Sequence, residues 1–334
     1  MRTVPSDNGS GEKTSYDPSD EDRDIPGLRR IVSSLPVDHM GTFVYLRGWR
    51  KEESQWPPII FVHDLGEQAD EYASAAESFV VRGYTVYAFD MRGHGRSGRL
   101  LGHLTRFDSL VKDLLQVAAW VKHKESGQSP VIIGQGVGAL IAAEFAHRFG
   151  GFCGGIVLAS PCFELSRKPS IPLKSLLKIS SEIWPTWRPP RLLSPNFTET
   201  LAAPLRLTSA SIDTILDAMQ RSDHMLQKCS VNTLILCPEH DAVSTYQTLK
   251  RTVAMHSNPK LKAVDLGGIS RGMFKGKSEN YQIAIDEISS WLEPHRLRLK
   301  PTVTISDHRP SGTPSALDPY STSDVAATDH VPKD

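Results

Sequence analysis

The residues best placed to do chemistry form one short turn, Gly134-Gln135-Gly136-Val137-Gly138, between the apolar run PVII (130–133) and the stretch ALIAAEFA (139–146). Two kinds of site are written with such a turn. Read as G-x-G-x-x-A, with Gly134, Gly136 and Ala139, it could cradle a dinucleotide pyrophosphate at a helix N-terminus. Read as G-x-S-x-G, it is a nucleophile turn whose centre, Gly136, lacks the serine. A dinucleotide turn follows the first strand of its unit and needs an acidic residue at the end of the next strand to hold the ribose. Here at least three strand-like runs precede the glycines, and the next run ends in Ser160 and Pro161. The nucleophile-turn reading is therefore preferred, and no cofactor is expected.

In such a turn the strand and helix backbones approach too closely for a Cβ on either side of the centre, which Gly134 and Gly138 satisfy. The central residue takes a positive φ, a strain that a functional side chain ordinarily justifies. Gly136 adopts that conformation freely. The turn can be built, but it carries no hydroxyl.

The segments around it alternate between strand and helix patterns. TFVYLRGWR (42–50), PPIIFVH (57–63) and YTVYAFD (84–90) read as strands, with helices at 73–83 and 110–123. PVIIG, ALIAAEFAHRF and GGIVLAS (154–160) continue the rhythm, which predicts a mainly parallel sheet with helices on both faces. After Pro161 the pattern breaks into a Pro-, Leu-, Ser- and Trp-rich stretch over 162–226, read as a lid insertion with two short helices. Leu176, Leu177, Ile179 and Trp184 are expected to cover a pocket above Gly136. Strands resume at NTLILC (232–237) and KAVDLG (262–267), followed by a helix over 281–293.

The chain has 334 residues, 39% hydrophobic and 23% charged, enough for one full α/β domain. That domain is expected over 28–297. The polar tails, 1–27 and 298–334, are expected to be disordered. Lysine plus arginine and aspartate plus glutamate number 38 each, so no net field favours nucleic acid. The four cysteines, Cys153, Cys162, Cys229 and Cys237, lack metal-ligand spacing; no metal is expected, and Cys162 is expected to pack in the lid. No apolar run approaches the ~20 residues that span a bilayer. A cytoplasmic location is expected, with peripheral membrane contact through the lid and no assignment of oligomeric state.

FVHDLGEQADEY (61–72), FVVRGYTVYAFDMRGHGRSG (79–98) and HLTRFDSLVKDL (103–114), together with the glycine turn and PEHDAVS (238–244), resemble the monoglyceride lipase and lysophospholipase branch of the α/β-hydrolases. This branch is also described as serine aminopeptidase-like. The resemblance covers roughly residues 38–293 and implies the α/β-hydrolase fold. It places the triad acid at Asp241, in the family's D-x-x-V turn, although Asp241 could equally cap the following helix. Aligned on Gly267, the histidine position is Ser270, and no histidine occurs between His256 and His295. The oxyanion-hole amides would be those of Val137 and, by resemblance, Leu65. Asp64 stands where the family has glycine, and a carboxylate there would oppose developing negative charge unless it points away. His63 reads as a buried turn histidine, while Asp90 and Asp113 take structural roles. His240, beside Asp241, is not placed to reach a substrate at the elbow.

Triad positions Gly136, Asp241 and Ser270 therefore hold one of three catalytic groups, and losing the serine or the histidine costs about a millionfold in turnover. The expected function is a catalytically degenerate hydrolase relative that binds a small apolar or acyl ligand, or a partner. The alternative is an active carboxylic ester hydrolase with a non-standard constellation.

Overall fold

The computed structural model describes residues 25–296, apart from 52–53, 55, 99, 105, 164–169, 191–205, 239–240, 242–249, 252–253, 255–257, 270 and 276–279. Residues 1–24 of the first expected tail, the whole of the second, His240 and Ser270 lie outside the described residues.

Among the described residues eight strands form one sheet: β1 (Arg29–Pro36), β2 (Phe43–Arg50), β3 (Ile59–Val62), β4 (Val86–Phe89), β5 (Val131–Gln135), β6 (Gly155–Ala159), β7 (Thr233–Cys237) and β8 (Leu261–Asp265). Their order is β1-β2-β4-β3-β5-β6-β7-β8, with the β1-β2 and β2-β4 pairs antiparallel and the pairs from β4 to β8 parallel. The strands β3 to β7 are buried along their whole length, as their unbroken apolar runs require when helices cover both faces. This is the expected α/β-hydrolase arrangement.

Helices α1 (Ala73–Val81) and α6 (Asn280–Arg296) belong to one face of the sheet, where Phe61, Tyr72, Phe79 and Phe274 pack together. On the other face lie α2 (Phe107–Lys124), α3 (Val137–Phe149) and α5 (Ser209–Gln227), around Leu114, Leu140, Phe145 and Ile215. The excursion after β6 holds α4 (Ile171–Ile183) and α5 among the described residues. Helix α5 is a 19-residue helix packed on both α4 and α3, longer than the short segment its sequence suggests. Thr208 caps it by accepting a hydrogen bond from Ser211 N.

The four residues expected to cover a pocket differ in burial in the structure. Leu177 is buried at 3% exposure, but Leu176, Ile179 and Trp184 are 44%, 56% and 63% exposed. On a helix Leu176, Ile179 and Ile183 share a side, and Leu177 lies away from it. The side carrying Leu177 packs inward, and the apolar side beside it faces out.

The strand order reverses at β3, which places the turns after β3 and β5 side by side at the carboxyl edge of the sheet. The turn holding Asp64 follows β3 and the turn holding Gly136 follows β5.

Candidate active site

Gly136 separates β5 from α3 with φ 57° and ψ −114°, the conformation expected of the nucleophile turn. The flanking glycines are sterically required. A Cβ on Gly134 would run into Gly138 O, and one on Gly138 would run into Val62 O. A Cβ on Gly136 would fall inside the carboxylate of Asp64, overlapping Cγ and both oxygens. The volume of an elbow side chain is thus occupied by a side chain from the neighbouring turn.

The carboxylate of Asp64 does not point away from the two amides expected to serve as oxyanion donors; it accepts from both. Its Oδ1 accepts hydrogen bonds from Leu65 N and Val137 N, both at 2.8 Å. These are the two amides expected to form the hole. Its Oδ2 accepts from Arg271 Nε at 2.9 Å, and Arg271 Nη2 lies at the same distance without hydrogen-bonding geometry. Arg271 Nη1 donates to both oxygens of Asp241 at 3.3 Å. Asp241 is buried at this edge of the sheet, after β7. The guanidinium therefore bridges the turn after β3 and the acid turn after β7.

Burial opposes the charge on Arg271, but the facing carboxylates of Asp64 and Asp241 outweigh it, and the side chain holds its proton more firmly than usual. The loop carrying Arg271 is pinned by Ser160, whose hydroxyl donates to Arg271 O at 3.2 Å. Ser160 is buried at the end of β6 with φ 45°, a left-handed conformation costly for a non-glycine residue. Cys162, expected in the lid, is instead a buried wall of this site. Burial pushes its thiol up to about 12, against the opposing charge of Arg271 and with the help of Asp64 and Asp241, which makes it a poor nucleophile.

A second carboxyl lies behind the first. Glu67 Oε2 accepts from Asp64 N at 3.1 Å and from the Tyr72 hydroxyl at 2.6 Å, and Gln135 Nε2 donates to both of its oxygens at 3.1 Å. Burial, then the charge of Asp64, pushes Glu67 up to about 7. Gln135 thus ties the glycine turn to the turn after β3.

His63 has the structural role expected of it. Its Nε2 accepts from Met91 N at 2.9 Å, so Nδ1 carries the hydrogen and donates to Asp64 O at 2.6 Å. Burial and the nearby His94 push its pKa down to about 3. The folded value lies below the ordinary 6.5, so the unfolded chain binds the extra proton between these values and stability falls as the pH drops through that window. In His63→Gln, the stability difference between pH 7 and pH 4.5 is expected to shrink by about 2 to 3 kcal/mol, read from urea midpoints. An unchanged difference would show that His63 does not carry this acid sensitivity.

The structure brings together Gly136, Leu65, Val137, Asp64 and Asp241. Ser270 lies outside the described residues, as does His240. Sequence reasoning missed Arg271, Glu67, Gln135 and Ser160. Arg271 had no motif of its own, only its place beside the expected histidine position.

A family profile described as serine aminopeptidase, S33, matches residues 57–265, more than half of the chain. Among curated proteins, the monoacylglycerol lipase of Mycolicibacterium smegmatis is 26% identical over 162 residues, covering 46% of this chain and 57% of that protein. Lysophospholipase L2 of Escherichia coli K12 is 35% identical over 115 residues, 32% of this chain and 33% of that protein. The chain thus aligns with about half or less of these relatives' lengths. Among solved structures, Paleococcus ferrophilus monoacylglycerol lipase matches with TM-score 0.59 at 22% identity, over 80% of this chain and 99% of that one. A soluble variant of monoglyceride lipase from Saccharomyces cerevisiae matches with TM-score 0.65 at 14% identity, over 80% and 95%.

Proposed function

Because the chain belongs to the serine aminopeptidase S33 family of α/β-hydrolases, we propose that it has kept the family scaffold, does not hydrolyse esters by the serine route, and acts by binding an apolar ligand. The observation that carries this reading is the place of the Asp64 carboxylate: Oδ1 accepts from both Leu65 N and Val137 N. Serine hydrolysis needs a nucleophile, a base that takes its proton, and vacant donors for the developing oxyanion. Gly136 supplies no nucleophile, the sequence has Ser270 where the family resemblance calls for the base, and the donors already hold a carboxylate oxygen.

The lipase relatives suggest the class of ligand, an acyl or other apolar molecule. Helix α4 contributes the exposed side chains of Ile171, Leu176, Ile179 and Ile183. These form an apolar side suited to peripheral contact with a lipid surface. No helix among the described residues is long and apolar enough to cross a membrane.

The test is covalent labelling with a fluorophosphonate probe beside turnover of p-nitrophenyl esters of several chain lengths. Neither labelling nor turnover above a heat-denatured control is expected, while monoacylglycerol is expected to raise the melting temperature. Stoichiometric labelling, or turnover at an ordinary enzyme rate, would instead establish the active hydrolase with a non-standard constellation.

A further inference from the structure

We propose that the amides of Leu65 and Val137 and the guanidinium of Arg271 form a carboxylate-binding site, with Asp64 as its resident occupant and a free carboxylate as the ligand class it takes when that side chain is removed. The proposal rests on the non-hydrolytic reading of the site.

The donors are divided between the two oxygens as a carboxylate demands. Oδ1 receives the two backbone N–H groups at 2.8 Å, and Oδ2 faces Nε and Nη2 of Arg271 at 2.9 Å. Hydrogen bonds to an ionised acceptor are about twice as strong as neutral ones, and Arg271 donates one through Nε while Nη2 stays at ion-pair distance from the same oxygen. A neutral ester offers the same amides a carbonyl oxygen but gives Arg271 no charge to pair with. With its side chain only 15% exposed, Arg271 would pay the desolvation of a buried ion with less return. The site therefore selects the acid over the ester, the reverse of what an ester hydrolase needs in its resting state.

Space for the occupant comes from the missing side chain at Gly136, because a Cβ there would overlap the carboxylate. The occupant is also tethered. A group held in place by its own backbone competes at an effective concentration far above that of any free ligand. Asp64 therefore keeps the native site closed to external acids, and removing its carboxylate exposes the donors.

The test compares the native chain, Asp64→Ala and Asp64→Asn by thermal unfolding in rising sodium formate or acetate, against sodium chloride at equal ionic strength. The melting temperature of Asp64→Ala is expected to climb by about 3 °C or more as the site fills. The native chain and Asp64→Asn, whose sites are filled by their own side chains, are expected not to respond. Asp64→Gly is expected to repeat the alanine result, so poor folding of one variant leaves the other to decide. No carboxylate-specific rise in either truncated variant overturns the proposal, as does an equal rise in Asp64→Asn. Fluorophosphonate labelling of the native chain would overturn the non-hydrolytic reading and leave the acetate response standing, so the two failures are distinguishable.

Discussion

Replacing Arg271 by alanine is expected to destabilise the protein by about 3 to 5 kcal/mol, the usual cost of removing one partner from a buried charge cluster. The guanidinium lies between two carboxylates whose side chains are 7% exposed in Asp64 and 0% exposed in Asp241. Without it they face one another across a site that water does not readily enter, and like charges in that setting are costly. Packing is lost as well, since the arginine also lies against Cys162. Arg271→Lys is expected to recover only part of the loss, because a single ammonium cannot address Asp64 and Asp241 from separate nitrogens. The measurement is urea unfolding of the native chain and both variants, with m compared to confirm a common unfolded state. A loss below about 1 kcal/mol for Arg271→Ala, the scale of an exposed ion pair, would mean that the cluster is solvated.

The second large effect concerns the elbow. Gly136→Ser places a side chain at φ 57°, which alone costs about 1 to 2 kcal/mol. It also drives a Cβ into the Asp64 carboxylate, and overpacking of this kind adds about 1 to 3 kcal/mol. The single variant is therefore expected to lose roughly 2 to 5 kcal/mol from these two effects. The collision disappears when Asp64 is glycine. Gly136→Ser is accordingly expected to cost less in an Asp64→Gly background than in the native chain, a coupling of about 1 to 3 kcal/mol. Additive effects would show that the two side chains do not compete for the same space.

The same competition decides whether activity can be rebuilt. Gly136→Ser with Ser270→His supplies a nucleophile and a base, yet a carboxylate held by Leu65 N and Val137 N leaves the oxyanion unsupported. Esterase turnover on short p-nitrophenyl esters is expected only when Asp64→Gly is added. Even then it is expected to stay below an ordinary enzyme, because Arg271 still engages Asp241, the carboxylate a histidine would need. Equal turnover in the double and triple variants would sink the idea that Asp64 blocks the hole.

Much of this protein was determined by local features of the sequence. The strand and helix rhythm is a local consequence of apolar spacing, and it located β2 to β8 and the helices beside them. The glycines at 134, 136 and 138 also carry their reason locally, since positive φ and close backbone approach depend on the turn itself. The absence of a serine at 136 was equally plain. Strand β1 was not legible: RRIVSSLP has Leu35 as its one fully buried residue, and its pairing with β2 comes from register at the sheet edge. On α4, composition indicates an apolar helix but not which apolar residues find a partner, because that depends on where α5 lies. The decisive contacts were also set only by the tertiary structure. Asp64 meets Val137 across 73 positions of chain and Arg271 across 207. A turn carboxylate can face toward or away from an oxyanion hole with the same local sequence. The choice belongs to the cation waiting for it, and Arg271 reaches that place because the segment after β8 meets the turns after β3, β5 and β7 at one edge of the sheet.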